Sequence, residues 1–283
     1  MVDRRKRRWP AVLLTLIALF AIAGGIAYAF WPQIFAFVDN ELIRAEKSKH
    51  WRMAQAGETL PGTPDLKNLE QRLSEKGLKL GDPIFMRVFK RDFELELWMK
   101  SGDRFVHFAT YPICMWSGGL GPKHKEGDHQ SPEGFYTVDA TQLNPNSKYH
   151  RSFNLGYPNA FDRAHGRTGS FLMVHGHCLS IGCYAMTDPV IDEIWAIVTA
   201  ALAGGQQRFQ VQAFPFRMTA TNLSLHSGNK HIEFWRQLRA GHDLFTQEKV
   251  PPRVSVCDGR YVFKPGNQGD DGSLPIEAAC PAT

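Results

Sequence analysis

The 283-residue chain reads as mainly β with α additions (α+β) on three observations. Residues Pro83 to Cys114 alternate apolar and polar side chains with period two on either side of a Ser101-Gly102-Asp103 turn. The short apolar run Phe171 to Val174 has the make-up of a strand buried on both faces. Two later stretches, around Ile191 to Leu202 and Ile232 to Phe245, carry apolar stripes of helical period. At 43% hydrophobic residues the chain can bury one sizeable domain with appendages or two small ones.

Taken in order, Asp3-Arg4-Arg5-Lys6-Arg7-Arg8 precedes an uncharged apolar stretch from Ala11 to Trp31, which predicts a membrane-spanning helix with its basic end in the cytoplasm. Ala27-Tyr28-Ala29 offers a small-x-small cleavage site as the alternative, export with removal near Ala29, but apolar residues continue to Val38 and favour an uncleaved anchor. Five basic residues against Asp3 put +4 of the formal +5 charge in this tail, so the remainder does not suggest a nucleic-acid partner. Asp39 to Gly57 reads as a charged stalk, and Thr63-Pro64-Asp65 opens a short helix with Leu66, Leu69 and Leu73 on one stripe.

Strands follow at Ile84–Phe89, Phe93–Met99 and Arg104–Tyr111 as an antiparallel meander, then at Phe135–Val138. Between them, Ser117-Gly118-Gly119-Leu120-Gly121-Pro122-Lys123 has the glycine content of a phosphate loop without its Gly-Lys-Ser/Thr ending, and nucleotide binding is rejected. Asn144 to Thr168 reads as a long polar loop. Asp188-Pro189 starts a helix that Gly204-Gly205 ends, Arg208 to Phe216 alternates as a strand, and Asp258-Gly259 centres a hairpin. The organisation expected is thus 1–38 tail and membrane helix, 39–78 stalk and short helix, 79–216 a strand-rich unit, and 217–283 a helical and hairpin extension.

Chemistry concentrates in Phe171 to Asp188, F-L-M-V-H-G-H-C-L-S-I-G-C-Y-A-M-T-D. His175 emerges where the strand leaves the core, and Cys183 follows Gly182, whose tight backbone can leave peptide N–H groups pointing outward. A buried cysteine is ordinarily an inert small hydrophobe, and a histidine at a strand end is ordinarily just hydrogen-bonded. A metal reading of His175, His177, Cys178 and Cys183 gives way because Cys178 directly follows His177 and no second ligand pair has zinc spacing. No metal or cofactor is therefore expected. The cysteine count of five is odd, so at least one thiol stays free or pairs with another molecule; Cys257 and Cys280 are placed to staple the C-terminal segment, with Cys114 and Cys178 either buried or linked.

These residues resemble the YkuD-type L,D-transpeptidase catalytic domain, and within it the YafK-like branch. The resemblance runs from about Pro83 to Phe216 through S-G-G-L-G-P-K, S-P-E-G-F-Y, L-G-Y-P-N-A-F-D and H-G-H-C-L-S-I-G-C-Y-A-M-T-D, in that order. It implies a β-sandwich-like catalytic domain over 79–216, acting in the bacterial envelope on peptidoglycan stem peptides that carry meso-diaminopimelate. The family cysteine falls on Cys183 and its upstream histidine on His175. The commoner motif has a second histidine where Ile181 stands and an arginine where Tyr184-Ala185 stands, and its histidine-to-cysteine spacing is longer.

The expected function is a cysteine-dependent L,D-transpeptidase working through a thioester acyl-enzyme in cell-wall remodelling. Cys183 is the nucleophile and His175 its base; Gly176 supplies an orienting carbonyl and Gly182 an oxyanion-stabilising N–H. Lys123, Arg163, Arg167 and Ser180 are the candidate substrate-binding residues. The alternative is a hydrolase of the same family cleaving the meso-diaminopimelate link between peptidoglycan and an attached protein, and a second alternative is a non-catalytic peptidoglycan-binding envelope protein. The expected location is the periplasm, anchored in the cytoplasmic membrane by residues 11–31, with stem peptides, an attached protein and the inner membrane as partners.

Overall fold

The computed structural model describes residues 8–280, so the basic run at positions 3–7 lies outside the described residues. Its first element is a 48-residue helix, α1 (Arg8–Gln55), followed by the short helix α2 (Leu69–Ser74). The membrane-spanning helix expected over residues 11–31 is not found: among the described residues, no helix is long and apolar enough to cross a membrane. The apolar run does not end at a polar flank. It continues as helix through Ala27-Tyr28-Ala29 and into the charged segment, where Asp39, Ile43 and His50 form a buried stripe against the rest of the chain. Asp39 binds Arg91 at 2.6 Å, His50 Nδ1 lies 2.9 Å from the Ile113 carbonyl, and Lys47 Nζ donates to the Gly118 carbonyl at 2.8 Å. The segment expected to be a stalk is therefore docked, and the periplasmic location anchored in the cytoplasmic membrane by residues 11–31, with the inner membrane as a partner, is not borne out.

The strands are β1 (Ile84–Phe89), β2 (Glu94–Ser101), β3 (Arg104–Pro112), β4 (Met115–Trp116), β5 (Gly134–Asp139), β6 (Leu143–Ser147) and β7 (His150–Asn154). Then come α3 (Ala160–Ala164), β8 (Met173–His175), β9 (Tyr184–Ala185), α4 (Asp188–Ala203) and β10 (Arg208–Phe214). The chain finishes through α5 (Ala220–Leu225), α6 (Ile232–Glu248), β11 (Arg253–Cys257), β12 (Arg260–Lys264) and β13 (Glu277–Ala278). They form two five-stranded sheets, ordered β3-β2-β1-β10-β5 and β4-β9-β8-β7-β6, and a three-stranded sheet β12-β11-β13. Parallel pairs, β1 with β10 and β8 with β9, occur beside the antiparallel ones.

This is a mixed α/β fold of several open sheets, and it corrects the mainly β, sandwich-like expectation. The reason is visible along β1, which is buried at every position. Its alternate residues Ile84, Met86 and Val88 join Phe153, Val174 and Tyr184 of the second sheet and Ile191, Ile194 and Val198 of α4 in one core. On the other face, Phe89 joins Trp235 and Leu238 of α6, and Phe85 meets Phe245 of the same helix. The first sheet is thus covered by sheet and helix on one side and by helix on the other. Helix α4 begins where the sequence places it, with Pro189 in its first turn.

Candidate active site

Register builds the site. Strand β8 lies parallel to β9, with Val174 beside Tyr184 and His175 beside Ala185, so Cys183, one residue before β9, falls next to Met173. Met173 and His175 project from the same face of β8 two residues apart, and the sulfur and imidazole therefore share one side of the sheet. Both border a cavity of about 570 Å³ together with Lys123, Tyr149 and Ser180.

His175 is almost fully buried, and its Nδ1 lies 2.6 Å from the Gly176 carbonyl oxygen. A carbonyl only accepts, so Nδ1 carries the hydrogen and Nε2 is left with a free lone pair. Burial pushes the imidazole below its ordinary value, opposed by the Gly176 contact, and keeps it neutral. The Tyr149 ring covers it with centroids 4.9 Å apart. Gly176 cannot be larger without disruption, because a Cβ there would meet the Asp188 carboxylate at 2.6 Å; that carboxylate caps the His177 N–H at 2.7 Å.

Cys183 is 9% exposed. Its sulfur accepts from the Met173 N–H at 3.4 Å and faces the Phe171 carbonyl, to which it donates at 3.5 Å. Burial pushes the thiol up, against smaller opposing effects of the Met173 N–H and Lys123, so it rests protonated and bound to main chain. Its own carbonyl accepts from Ser180 Oγ and Ser131 Oγ, each at 2.8 Å, and Ser131 Oγ also accepts from the Ser117 N–H. Gly182 turns the chain at φ +143°, and its N–H is given to Ser180 Oγ at 3.2 Å.

Four of the five cysteines are paired, Cys114 with Cys178 and Cys257 with Cys280. The fifth, Cys183, is free, buried and neutral. This counts against the expected cysteine-dependent L,D-transpeptidase, because four of the thiols are locked in disulfides and the remaining one, Cys183, rests protonated and bound to main chain. It also removes Cys178 from any metal set, since a disulfide sulfur offers no thiolate.

Of the expected substrate-binding residues, Lys123 and Ser180 border the cavity, although Lys123 is tied to Asp128 at 2.5 Å. Arg167 is buried in an ion pair with Asp162 at 2.7 Å, and Arg163 is exposed and donates to the Pro158 carbonyl; neither borders the cavity. In the glycine-rich loop at 117–123, the Gly119 N–H is given to Gln130 and the Gly121 N–H to Glu133. Sequence reasoning missed Tyr149, Ser131 and the fully buried pair of Lys90 and Glu133, which lie 3.0 Å apart. Lys90 also donates to the Gly121 and Ser131 carbonyls, and Glu133 accepts from Trp235 Nε1 at 2.8 Å. The one available signal was Ser131-Pro132-Glu133-Gly134, which enters the sequence reading as part of the S-P-E-G-F-Y motif without a role for any of its side chains.

Residues 84–213 match the family described as YkuD, L,D-transpeptidase catalytic domain. The chain is 48% identical over 206 residues to YafK of Escherichia coli strain K12, covering 73% of this chain and 81% of that protein, and the O157:H7 form matches equally. Among solved structures it is similar to the helical cell shape determining protein Pgp2 from Campylobacter jejuni, at 20% identity and TM-score 0.39, covering 65% of this chain and 68% of that one.

Proposed function

The chain belongs to the YkuD-type L,D-transpeptidase family and is closely related to YafK of Escherichia coli, and from that premise we propose that it is a hydrolase. Its substrate in this reading is the amide link between a meso-diaminopimelate residue of peptidoglycan and an attached protein. The catalytic unit is residues 79–216, with Cys183 and His175 as the catalytic residues and Lys123 and Ser180 on the substrate wall.

The observation that carries hydrolysis over transfer is the state of the sulfur. A thiol held neutral by burial and bound to main chain is not a standing nucleophile. What the site offers at rest is a neutral, oriented imidazole with a free Nε2 lone pair opening on a water-accessible cavity. The balance is that of amide hydrolysis: the C–N bond breaks, water supplies the new C–O bond, and His175 carries the proton to the leaving amine. In the first half, as substrate arrives, Cys183 gives its proton to His175 Nε2, its sulfur bonds to the carbonyl carbon, and the C–N bond breaks as His175 passes that proton to the amine. In the second half His175 takes a proton from water, whose oxygen bonds to the carbonyl carbon as the C–S bond breaks, and the proton returns to the sulfur.

The test is a defined muropeptide bearing a peptide through meso-diaminopimelate, digested in ¹⁸O-labelled water. One ¹⁸O should appear in the new carboxylate, and His175→Ala should slow release by about a hundredfold to ten-thousandfold near neutral pH. Cys183→Ala should abolish it. A product in which a second amine replaces the first would show transfer instead, and tight binding with no turnover would make the chain a binding protein.

A further inference from the structure

Five buried side-chain polar atoms have no hydrogen-bond partner among the described residues, and one of them, Ser152 Oγ, lies on the strand paired with that of His175. In the antiparallel register of β7 and β8, Ser152 stands directly opposite His175. Direct cross-strand partners project from the same face with Cβ atoms about 4.5–5.5 Å apart. Ser152 is fully buried, which keeps its hydroxyl away from bulk solvent. A buried hydroxyl with no partner costs free energy in the resting fold, and a nonpolar residue of similar size would avoid that cost.

We propose that Ser152 is a positioning residue for His175, its hydroxyl unpaired at rest and turning its oxygen toward the imidazolium that forms when Nε2 takes a proton. The neutral ring already spends Nδ1–H on Gly176, so nothing at rest requires the hydroxyl. Protonation puts a charge beside it in a site that burial makes unfavourable for charge. A rotatable dipole with no competing partner is then free to answer that charge without breaking another contact. Other groups around the ring are less available for this. Tyr149 covers its face, Asp188 of α4 is given to the His177 N–H, His150 is bound to Asp192 at 2.8 Å, and Lys123 and His177 have no negative charge to offer.

The proposal rests on His175 acting as a base, but its test does not need the substrate. In the full chain carrying ¹³C-labelled histidine, the His175 titration is followed by NMR in wild type, Ser152→Ala and Ser152→Thr. Removing a group that favours the charged ring should lower the His175 pKa by about half a unit or more, a threefold or larger change in proton affinity. Ser152→Thr, which keeps the hydroxyl, should titrate with the wild type. The melting temperature of Ser152→Ala should stay level or rise, because the deleted hydroxyl had no partner. With a hydrolysable substrate, its kcat should fall about threefold to tenfold with KM nearly constant, and the acid limb of the profile should move to lower pH. An unchanged His175 titration in Ser152→Ala, an equal fall in Ser152→Thr, or a lowered melting temperature would each overturn the proposal. Failure of hydrolysis alone, with the titration shifted as expected, would count against the reaction assigned above and leave Ser152 in place.

Discussion

Lys90→Met should be among the most damaging single changes outside the cleft. Lys90 Nζ and the Glu133 carboxylate are both fully buried and 3.0 Å apart, and the ammonium also donates to the Gly121 and Ser131 carbonyls. Deleting the cation leaves a buried carboxylate without its counter-charge, a loss of roughly 3–5 kcal/mol, and two carbonyls without a donor. Against a total stability of about 5–15 kcal/mol, this is a large fraction. Lys90→Met/Glu133→Gln should recover part of the loss, because it removes both charges while the neutral amide put in place of the carboxylate can still bond the Gly121 N–H or Trp235. Urea titration of the disulfide-intact chain, read by tryptophan fluorescence, gives the midpoints of wild type, both single variants and the double variant that a double-mutant cycle needs. Ser131 holds both the Cys183 carbonyl and the Ser117 N–H, so the Lys90→Met variant should expose Cys183 to thiol reagents faster than wild type. A loss below about 1 kcal/mol, or additive losses in the double variant, would refute the view that this pair is mutually dependent.

Two further outcomes are expected. Cys114→Ser/Cys178→Ser opens a cross-link spanning 64 residues and should cost about 4 kcal/mol by loop-closure entropy, with an added loss of activity because Cys178 lies three residues beyond His175; unchanged urea midpoint and turnover would show the bridge to be idle. At Asp39, burial raises the pKa but hydrogen bonds from His226 and Arg91 outweigh it and hold the carboxyl below its ordinary value of 3.8, so its contribution is present above that pH and lost as pH falls through the lower folded value; Asp39→Asn should flatten this part of the acid limb of stability, and an unchanged limb would exclude α1 docking as its source.

Local pattern was legible wherever a segment's periodicity matched its burial. The β1–β3 meander, the Asp188-Pro189 start of α4 and the hairpin at Asp258-Gly259 all stand where alternation and turn residues put them. The stretch read as a loop from Asn144 contains the β6–β7 hairpin, because Asn144-Pro145-Asn146-Ser147 has no apolar alternation to report a strand held by its neighbours. Thr63-Pro64-Asp65 does not start the second helix, which begins at Leu69. Phe171, expected in a buried strand, is 72% exposed with φ +55°, since β8 begins only at Met173. Composition showed a charged segment after residue 38 but not that one stripe of it would dock, which depends on Arg91, Ile113 and Gly118 arriving from elsewhere. That Cys183 and His175 come close in space was legible because they stand eight positions apart in one short stretch. Their protonation was not, because burial is a property of the assembled sheets. For the same reason sequence could name Arg167 as a cation without showing that Asp162 had already claimed it.

The burial of Cys183 also bears on how the chain survives oxidising surroundings. An unpaired thiol five residues from a disulfide partner is the usual starting point for scrambling, in which a thiolate attacks a neighbouring S–S bond and leaves the wrong pair joined. Attack requires the anion, and so does the first step toward sulfenic acid. By keeping the sulfur protonated and engaged with the Phe171 carbonyl, the fold suppresses both reactions. The property that lowers resting reactivity thereby preserves the one cysteine that has no disulfide to protect it.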